Sequence, residues 1–360
     1  MSLRAYVKER LARGVRPWAM LAPVAVLVLC VPMLRPLRHP DSIAHDEALR
    51  LATLASLARG DGLALDASRL TDHSGTVLVN GELYSRQPPM LALLLTPGAK
   101  ILRAMGIGRD QGGALYEYVL TLLATTLPVA GAAGLLYRMN RLFELPRPWR
   151  AGLALATVAS SGLLTYAVVL NPEAPAAVLL ICAAACLIHV IISKLPRRGL
   201  LWMFIAGVCA ALAATLNPPG ALLSVLFIIV ILTMPFSMSR RLAGVALFLL
   251  GAVAPIALHV AWTVPVRGTW VPHWAAPVNP PVIRVAPPAT QPTDFEPEDA
   301  TSTRRLVITV AYMQWLLAAA IGPHGILVHF PVVLVGLAGV GAVMHRHWPL
   351  SVKSLAAACT

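Results

Sequence analysis

Long apolar runs alternate with short polar segments along most of the chain. A helix needs about 20 mainly apolar residues to cross a hydrocarbon core about 30 Å thick, and its backbone groups must be paired within the core. The pattern therefore predicts an all-α fold, a polytopic transmembrane helical bundle of about eight spans. The predicted spans are 18–34, 115–137, 151–170, 174–192, 200–216, 221–238, 242–264 and 326–344.

Two further apolar runs, 90–105 and 306–321, are short. Cytoplasmic loops of membrane proteins carry an excess of Lys and Arg, and this rule decides whether the two runs count as spans. With the N-terminus in the cytoplasm and neither run counted as a span, the loops 138–150, 194–198 and 239–241 all face inside. They hold four, three and two Lys or Arg residues, respectively. We therefore predict that both short runs are helices in or near the outer leaflet.

Two large outer loops follow from this topology, residues 35–114 and the proline-rich segment 265–305. In the first, apolar residues recur at helical spacing over 46–59, which predicts an amphipathic helix in the membrane interface. The sequence Gly60-Asp61-Gly62 is expected to end it. "VNGEL" predicts a tight turn, and Pro88-Pro89 predicts the start of the next helix.

The composition agrees with a membrane protein, since 58% of residues are apolar, 12% are charged and the mean hydropathy is +0.72. The net charge of +13 does not indicate a nucleic-acid partner, because the basic residues fall at helix ends. The five cysteines lie in or beside apolar segments without paired CxxC spacing, so they predict neither a zinc site nor a disulfide framework. The first apolar run has no small-residue cleavage site, and we expect an uncleaved span.

Candidate chemistry begins with the carboxylates of Asp46 and Glu47, directly after the first span. The simpler interpretation is helix capping, because the N-terminus of a helix favours negative charge. A carboxylate at this place would equally suit a general base. Arg86 would be an outer-face cation at the level of the phosphate head groups or a snorkelling interface residue. Glu173 in "LNPEAPAA" would face the same side of the membrane or be a solvated turn residue.

Two stretches, "HDEALRLATLASLARGDGL" and "YSRQPPMLALLLTPGAKIL", resemble the first outer loop of GT-C glycosyltransferases, which include protein O-mannosyltransferases and aminoarabinose transferases of lipid A. "GPHGILVHFP" resembles a later stretch of the same enzymes. The resemblance follows the order of elements from residue 1 to about 345. It implies a GT-C-like transmembrane domain over 1–345, with 346–360 as a cytoplasmic tail or the start of a missing span of a C-terminally short member.

The resemblance implies inverting transfer of a sugar from a polyprenyl-phosphate donor to an acceptor on the non-cytoplasmic face of the inner or plasma membrane. Asp46 would be the catalytic base, and Glu47 its partner that positions the acceptor or a divalent cation. The other implied roles are phosphate contacts by Arg86 and His324, and a substrate pocket that includes Glu173, Tyr84 and Gln87. A divalent cation, held by Asp46 and Glu173, stays open as a cofactor.

Two alternatives compete with a transferase. The first is a non-catalytic GT-C-like membrane subunit or scaffold, which Gln87 favours because relatives often carry Lys, His or Tyr directly before the two prolines. The second is a lipid or solute transporter, which predicts ionisable residues near the middle of the membrane and broken helices. The predicted spans hold few such residues.

Overall fold

The computed structural model of the protein describes residues 17–37, 45–66, 75–79, 81–140, 145–193, 196–217, 220–267 and residue 353. This part is mostly helical and contains a small β-sheet. The span predicted at 326–344, the short run at 306–321 and the candidate phosphate contact His324 lie outside the described residues. So does most of the proline-rich loop, from position 268 onward.

Most of the helices coincide with predicted apolar runs. They are α1 (Pro17–Leu37), α2 (His45–Arg59), α3 (Met90–Ala104), α4 (Arg109–Thr121), α5 (Leu127–Met139), α6 (Arg147–Ser160), α7 (Leu163–Tyr166), α8 (Glu173–Ser193), α9 (Pro196–Leu216), α10 (Gly220–Leu232) and α11 (Met238–Arg267). A π-helical turn, Leu122–Thr126, joins α4 to α5.

Four helices of the described part are long and apolar enough to cross a membrane: Gly113–Met139, Glu173–Ile191, Gly199–Leu216 and Met238–Val264. Trp18–Leu34 and Gly220–Leu232 are shorter apolar helices. Large apolar side chains are exposed on several of these elements, among them Val28 at 65% and Leu222 at 73%. Such surfaces are rare on soluble monomers, so the helices are compatible with a membrane protein. The total of about eight spans stays a prediction.

The span predicted at 151–170 is wrong as a continuous helix. Helix α6 ends at Ser160, and Gly162 adopts the left-handed conformation with φ +76°, which favours glycine. After the single turn of α7, the backbone runs irregularly from Ala167 to Asn171 and is buried throughout except at the half-buried Val169. Apolar composition alone could not reveal this break, because the irregular segment is as apolar as a helix.

The span predicted at 221–238 is also wrong at its end. Helix α10 stops at Leu232 after 13 residues, and α11 begins at Met238. Between them, the Arg241 side chain donates hydrogen bonds to the carbonyl oxygens of Phe236 and Leu232. The bond to Leu232 satisfies a carbonyl group that the end of α10 leaves without a helical partner, and the bond to Phe236 orders the connection between the helices.

The boundaries of α2 and α3 agree with the predicted signals. Helix α2 ends at Arg59, and Gly60 follows with φ +99°. Helix α3 begins at Met90, directly after the two prolines. The predicted place of α2 in the membrane interface is not confirmed, because its leucines are buried within the chain in one cluster with residues of α3 and α4. Helix α3 keeps exposed apolar side chains, with Ile101 at 62%.

The prediction of an all-α fold omitted a three-stranded antiparallel sheet between α2 and α3. Its strands are β1 (Ala64–Leu65), β2 (Thr76–Val79) and β3 (Glu82–Ser85), in the order β1-β3-β2. Strands β2 and β3 pair from Val79 opposite Glu82 onward, so the tight turn predicted at "VNGEL" is confirmed. Gly81 in this turn has φ +87°.

Helices α9 and α11 pack unusually closely because glycines lie between them. A Cβ atom at Gly207 would overlap the carbonyl oxygen of Phe248, and one at Gly251 would overlap that of Phe204. Small residues let helix backbones approach in this way where lipid supplies no hydrophobic driving force. We call this interface the glycine contact.

Candidate functional site

The first turn of α2 carries Asp46 and Glu47 in very different surroundings. Asp46 is exposed, whereas the side chain of Glu47 is only 2% exposed. Adjacent helical residues point about 100° apart, so one faces outward while the other points into the protein. Only Asp46 is accessible to a substrate without a rearrangement.

Glu47 connects α2 to the irregular segment that follows α7. Its Oε1 accepts a hydrogen bond of 2.7 Å from the backbone N–H of Leu170, 123 residues away in sequence. A buried carboxylate is costly unless it is hydrogen-bonded or paired with a charge, and the Leu170 N–H meets part of this need. Glu47 therefore fixes the broken segment against α2.

Arg50 lies one turn further along α2 and contacts the same residue, Leu170, through its carbonyl group. Its Nη1 donates to the Leu170 carbonyl oxygen at 3.4 Å, and its Nη2 donates to Oε1 of Gln87 at 3.1 Å. Burial lowers the pKa of the Arg50 guanidinium below its ordinary value. Nearby carboxylates act in the opposite direction, in the order Glu173, Asp46 and Glu47.

A capped turn precedes α8 and carries Glu173, whose charge acts on Arg50. The side chain of Asn171 accepts a hydrogen bond from the Ala174 N–H at 2.8 Å, an N-terminal cap of α8. Its Nδ2 donates to the carbonyl oxygens of Tyr166 and Val169, at 2.7 and 2.8 Å. Asn171, which is 4% exposed, thus orders the turn that carries both the Leu170 peptide and Glu173.

The structure therefore places three of the predicted carboxylates close enough to one cation, Arg50, for their charges to act on it. We call this group the polar cluster. It consists of Asp46, Glu47, Arg50, Gln87, Glu173 and the backbone N–H and C=O groups of Leu170, which we call the Leu170 peptide. Among the described residues, no three His, Cys, Asp or Glu side chains are arranged to hold a metal ion. Arg50 already supplies positive charge near these carboxylates, so a resident divalent ion fits this donor set poorly.

A cleft lies beside the polar cluster and shares Gln87 with it. The cleft is small, with an enclosed volume of about 20 Å³, and is lined by Thr53, Leu63, Tyr84, Ser85, Gln87, Pro89, Trp262 and Thr263. Tyr84 donates a hydrogen bond of 2.6 Å to Glu82, which raises the pKa of the Tyr84 phenol. Two predicted pocket residues, Tyr84 and Gln87, thus line one cleft.

Arg86 takes a different position from the other predicted residues. It is exposed, and its backbone N–H donates to the carbonyl oxygen of Gly75 at 2.9 Å. It follows β3 directly and precedes Gln87, whose side chain contacts Arg50.

Sequence reasoning missed Arg50, Asn171 and Trp262. Arg50 had a usable signal, because it follows Asp46 by four residues and Glu47 by three, the spacings at which helical side chains meet. Asn171 had one as well, since Asn-Pro-Glu before an apolar run is a typical helix start. Nothing in the sequence places Trp262, near the end of α11, beside β3.

The arrangement combines an accessible carboxylate, a half-buried cation and an adjoining cleft. The carboxylate can accept a proton, and the cation can stabilise negative charge on a neighbouring group. Comparisons of the chain with protein-family models, with curated proteins and with solved structures found no match.

Proposed function

We propose that the protein is a membrane glycosyltransferase that moves a sugar from a polyprenyl-phosphate donor to an acceptor, with Asp46 as general base. The observation that carries the proposal is the division of roles within the Asp46–Glu47 pair. Glu47 is buried and bonded to the Leu170 N–H, whereas Asp46 is exposed beside Arg50. A base must be accessible to its substrate, and Asp46 alone of the two meets this condition.

In the proposed reaction, an acceptor hydroxyl oxygen attacks C1 of the sugar and the proton of that hydroxyl passes to Asp46. The bond between C1 and the phosphate oxygen breaks, and both of its electrons leave with the polyprenyl phosphate. Attack from the face opposite the leaving group inverts C1. Arg50 holds positive charge close to the base and stabilises the negative charge that develops on the leaving phosphate. Arg86 is the exposed cation nearer the solvent.

The membrane helices support a lipid-linked donor. Four helices of the described part have the length and composition of spans. Helix α3, which begins shortly after Gln87 of the polar cluster, presents exposed apolar residues such as Leu94 and Ile101. A polyprenyl chain would lie along such a surface while its phosphate stays at head-group height. We place the site on the non-cytoplasmic face, with the N-terminus in the cytoplasm.

The direct test is sugar transfer by purified protein in lipid nanodiscs, with polyprenyl-phosphate mannose and polyprenyl-phosphate aminoarabinose as donors, with and without EDTA. We expect Asp46→Asn to lower the rate by at least about 100-fold, the usual contribution of a general base. The matched control is Asp61→Asn, an exposed carboxylate at the other end of α2 that pairs with Arg59. Full transfer by Asp46→Asn would remove the assignment.

The proposed orientation has a separate test. Single cysteines at position 42 or 48, in a variant without the five native cysteines, are labelled in intact cells or spheroplasts with a membrane-impermeant maleimide. We expect labelling from outside. Labelling only after the membrane is permeabilised would overturn the placement of the site.

A transporter is the second candidate, because the break between α6 and α7 is the kind of discontinuity that transporters use. In this chain the irregular segment instead contacts Glu47 and Arg50, at the start of α2. Movement of a labelled polyprenyl-phosphate sugar across liposomes, without transfer to any acceptor, would favour transport. If the wild-type protein neither transfers the sugar nor moves it across the membrane, the scaffold is favoured.

A further inference from the structure

The π-helical turn between α4 and α5 places two neighbouring threonines at the core of the fold. Thr125 and Thr126 have no exposed surface, and both direct their hydroxyl groups at the carbonyl oxygen of Ala167. The distances are 2.9 Å from Thr125 and 2.7 Å from Thr126. A π turn inserts an extra residue into a helix and recurs at functional sites.

These contacts differ from the usual behaviour of threonine in a helix. A helical threonine commonly donates to the carbonyl four residues earlier, as Thr96 does to Ala92 and Thr121 does to Glu117. Thr125 has such an acceptor in Thr121, at 2.8 Å, as well as Ala167. The Thr126 hydroxyl instead donates to a carbonyl 41 residues away, in another element.

The acceptor lies in the segment that forms the polar cluster. Ala167 begins the irregular backbone after α7, and three residues later the Leu170 peptide contacts Glu47 and Arg50. Asn171 holds the carbonyl oxygens of Tyr166 and Val169. Side chains therefore hold the carbonyl group of Tyr166, at the end of α7, and those at 167, 169 and 170, in the segment that no helix or sheet orders.

We infer that Thr125 and Thr126 are positioning residues, which hold the Leu170 peptide against Glu47 and Arg50 and so keep Asp46 beside its cation. The inference rests on the proposed function only for its consequence for sugar transfer. Its structural part concerns Glu47, whose burial depends on the Leu170 N–H staying in place. Without the two hydroxyls, the Ala167 carbonyl loses its side-chain donors and the segment can withdraw from α2.

The experiment compares Thr125→Val/Thr126→Val with Thr125→Ser/Thr126→Ser in the full chain in nanodiscs. Valine keeps the shape but removes both hydroxyls, and serine restores them. The first measurement is modification of Glu47 by a carbodiimide and glycine ethyl ester, followed by peptide mass spectrometry. We expect modification to be about tenfold faster in the valine variant, the effect of one hydrogen bond, and unchanged in the serine variant and in the Thr96→Val control.

The second measurement is sugar transfer, in which we expect kcat to fall about tenfold in the valine variant, with donor KM unchanged and recovery in the serine variant. Unchanged modification of Glu47 in the valine variant would overturn the inference. If the double variant does not fold, Thr126→Val alone is measured by the same criteria. If the wild-type protein transfers no sugar while Glu47 modification responds as expected, the proposed function fails and the positioning role stands.

Discussion

The polar cluster and the glycine contact are both buried contacts between elements distant in sequence, but they are held by opposite means. The glycine contact between α9 and α11 has carbonyl groups against glycine backbones, with Phe204, Phe248 and Met203 around them. The polar cluster has a half-buried cation, three carboxylates and side-chain hydrogen bonds to one irregular segment. Close packing fixes the first, and hydrogen bonds of charged side chains fix the second.

This difference indicates which of the two regions suits the proposed chemistry. Tight apolar packing offers no group that can accept a proton. It stabilises the helices through van der Waals contact between closely packed atoms. Buried charges are expensive to keep, and perturbed ionisable groups concentrate at functional sites. Arg50, whose pKa is lowered first by burial, is a perturbed group of this kind and lies in the polar cluster. Variants in both regions test the distinction.

The largest effect is expected from Gly207→Ala, which should break the glycine contact. The added methyl group would overlap the Phe248 carbonyl, so α9 and α11 must separate. We expect a loss of about 3 kcal/mol or more in unfolding free energy, measured by thermal unfolding in detergent. Gly131→Ala is the control, because a Cβ there meets nothing within 4 Å. Equal stability of the two variants would contradict the close packing.

A smaller loss of stability is expected from Glu47→Gln, which should loosen the polar cluster. The amide leaves Arg50 with less negative charge around it and brings N–H groups into a buried place, at a cost of about 1–3 kcal/mol. Asp46→Asn changes an exposed side chain and should cost less than about 1 kcal/mol. Sugar transfer should show the reverse order, with the greater loss in Asp46→Asn. Similar stability losses in both variants would mean that the pair is not divided in role.

The charge of Arg50 can be tested through pH with Arg50→Lys. Lysine has an ordinary pKa of about 10.4, and burial at this position lowers the pKa of the resident cation. Between the lowered folded-state pKa and the ordinary value, the unfolded chain binds more protons, so the unfolding free energy rises with pH. The rate of sugar transfer by the lysine variant should fall as the pH rises over the same range, because the cation is lost. The wild-type protein should not show this fall, because arginine stays charged. A parallel fall of stability and transfer would argue against this reasoning.

The smallest effect is expected at the mouth of the cleft. Glu82 accepts a hydrogen bond from Tyr84 and raises the pKa of its phenol, so Glu82→Gln should lower that pKa. Ultraviolet titration of the variant, with Tyr84→Phe to identify the signal, measures the change. Both side chains are on an exposed part of β3, and we expect no measurable loss of stability. An unchanged titration would mean that the bond does not persist in solution.

The local elements could largely be predicted because their signals are local. The stop at Gly60, the start after Pro89 and the turn before Glu82 each depend on residues within a few positions. The break after Ser160 was missed because an apolar segment can be helical or irregular, and only the partners of its backbone groups decide between the two. Those partners are Thr126, Asn171 and Glu47.

The sequence by itself determined an apolar, mainly helical protein, with a pair of carboxylates at the start of the helix after the first apolar run. It also determined that Arg50 shares a helix turn with that pair. Only the tertiary structure decided that Glu47 is buried and Asp46 exposed, and that Glu173 joins them. The reason is that these outcomes depend on a peptide 123 residues away from Glu47 in sequence, and the geometry of such a contact exists only after the chain has folded.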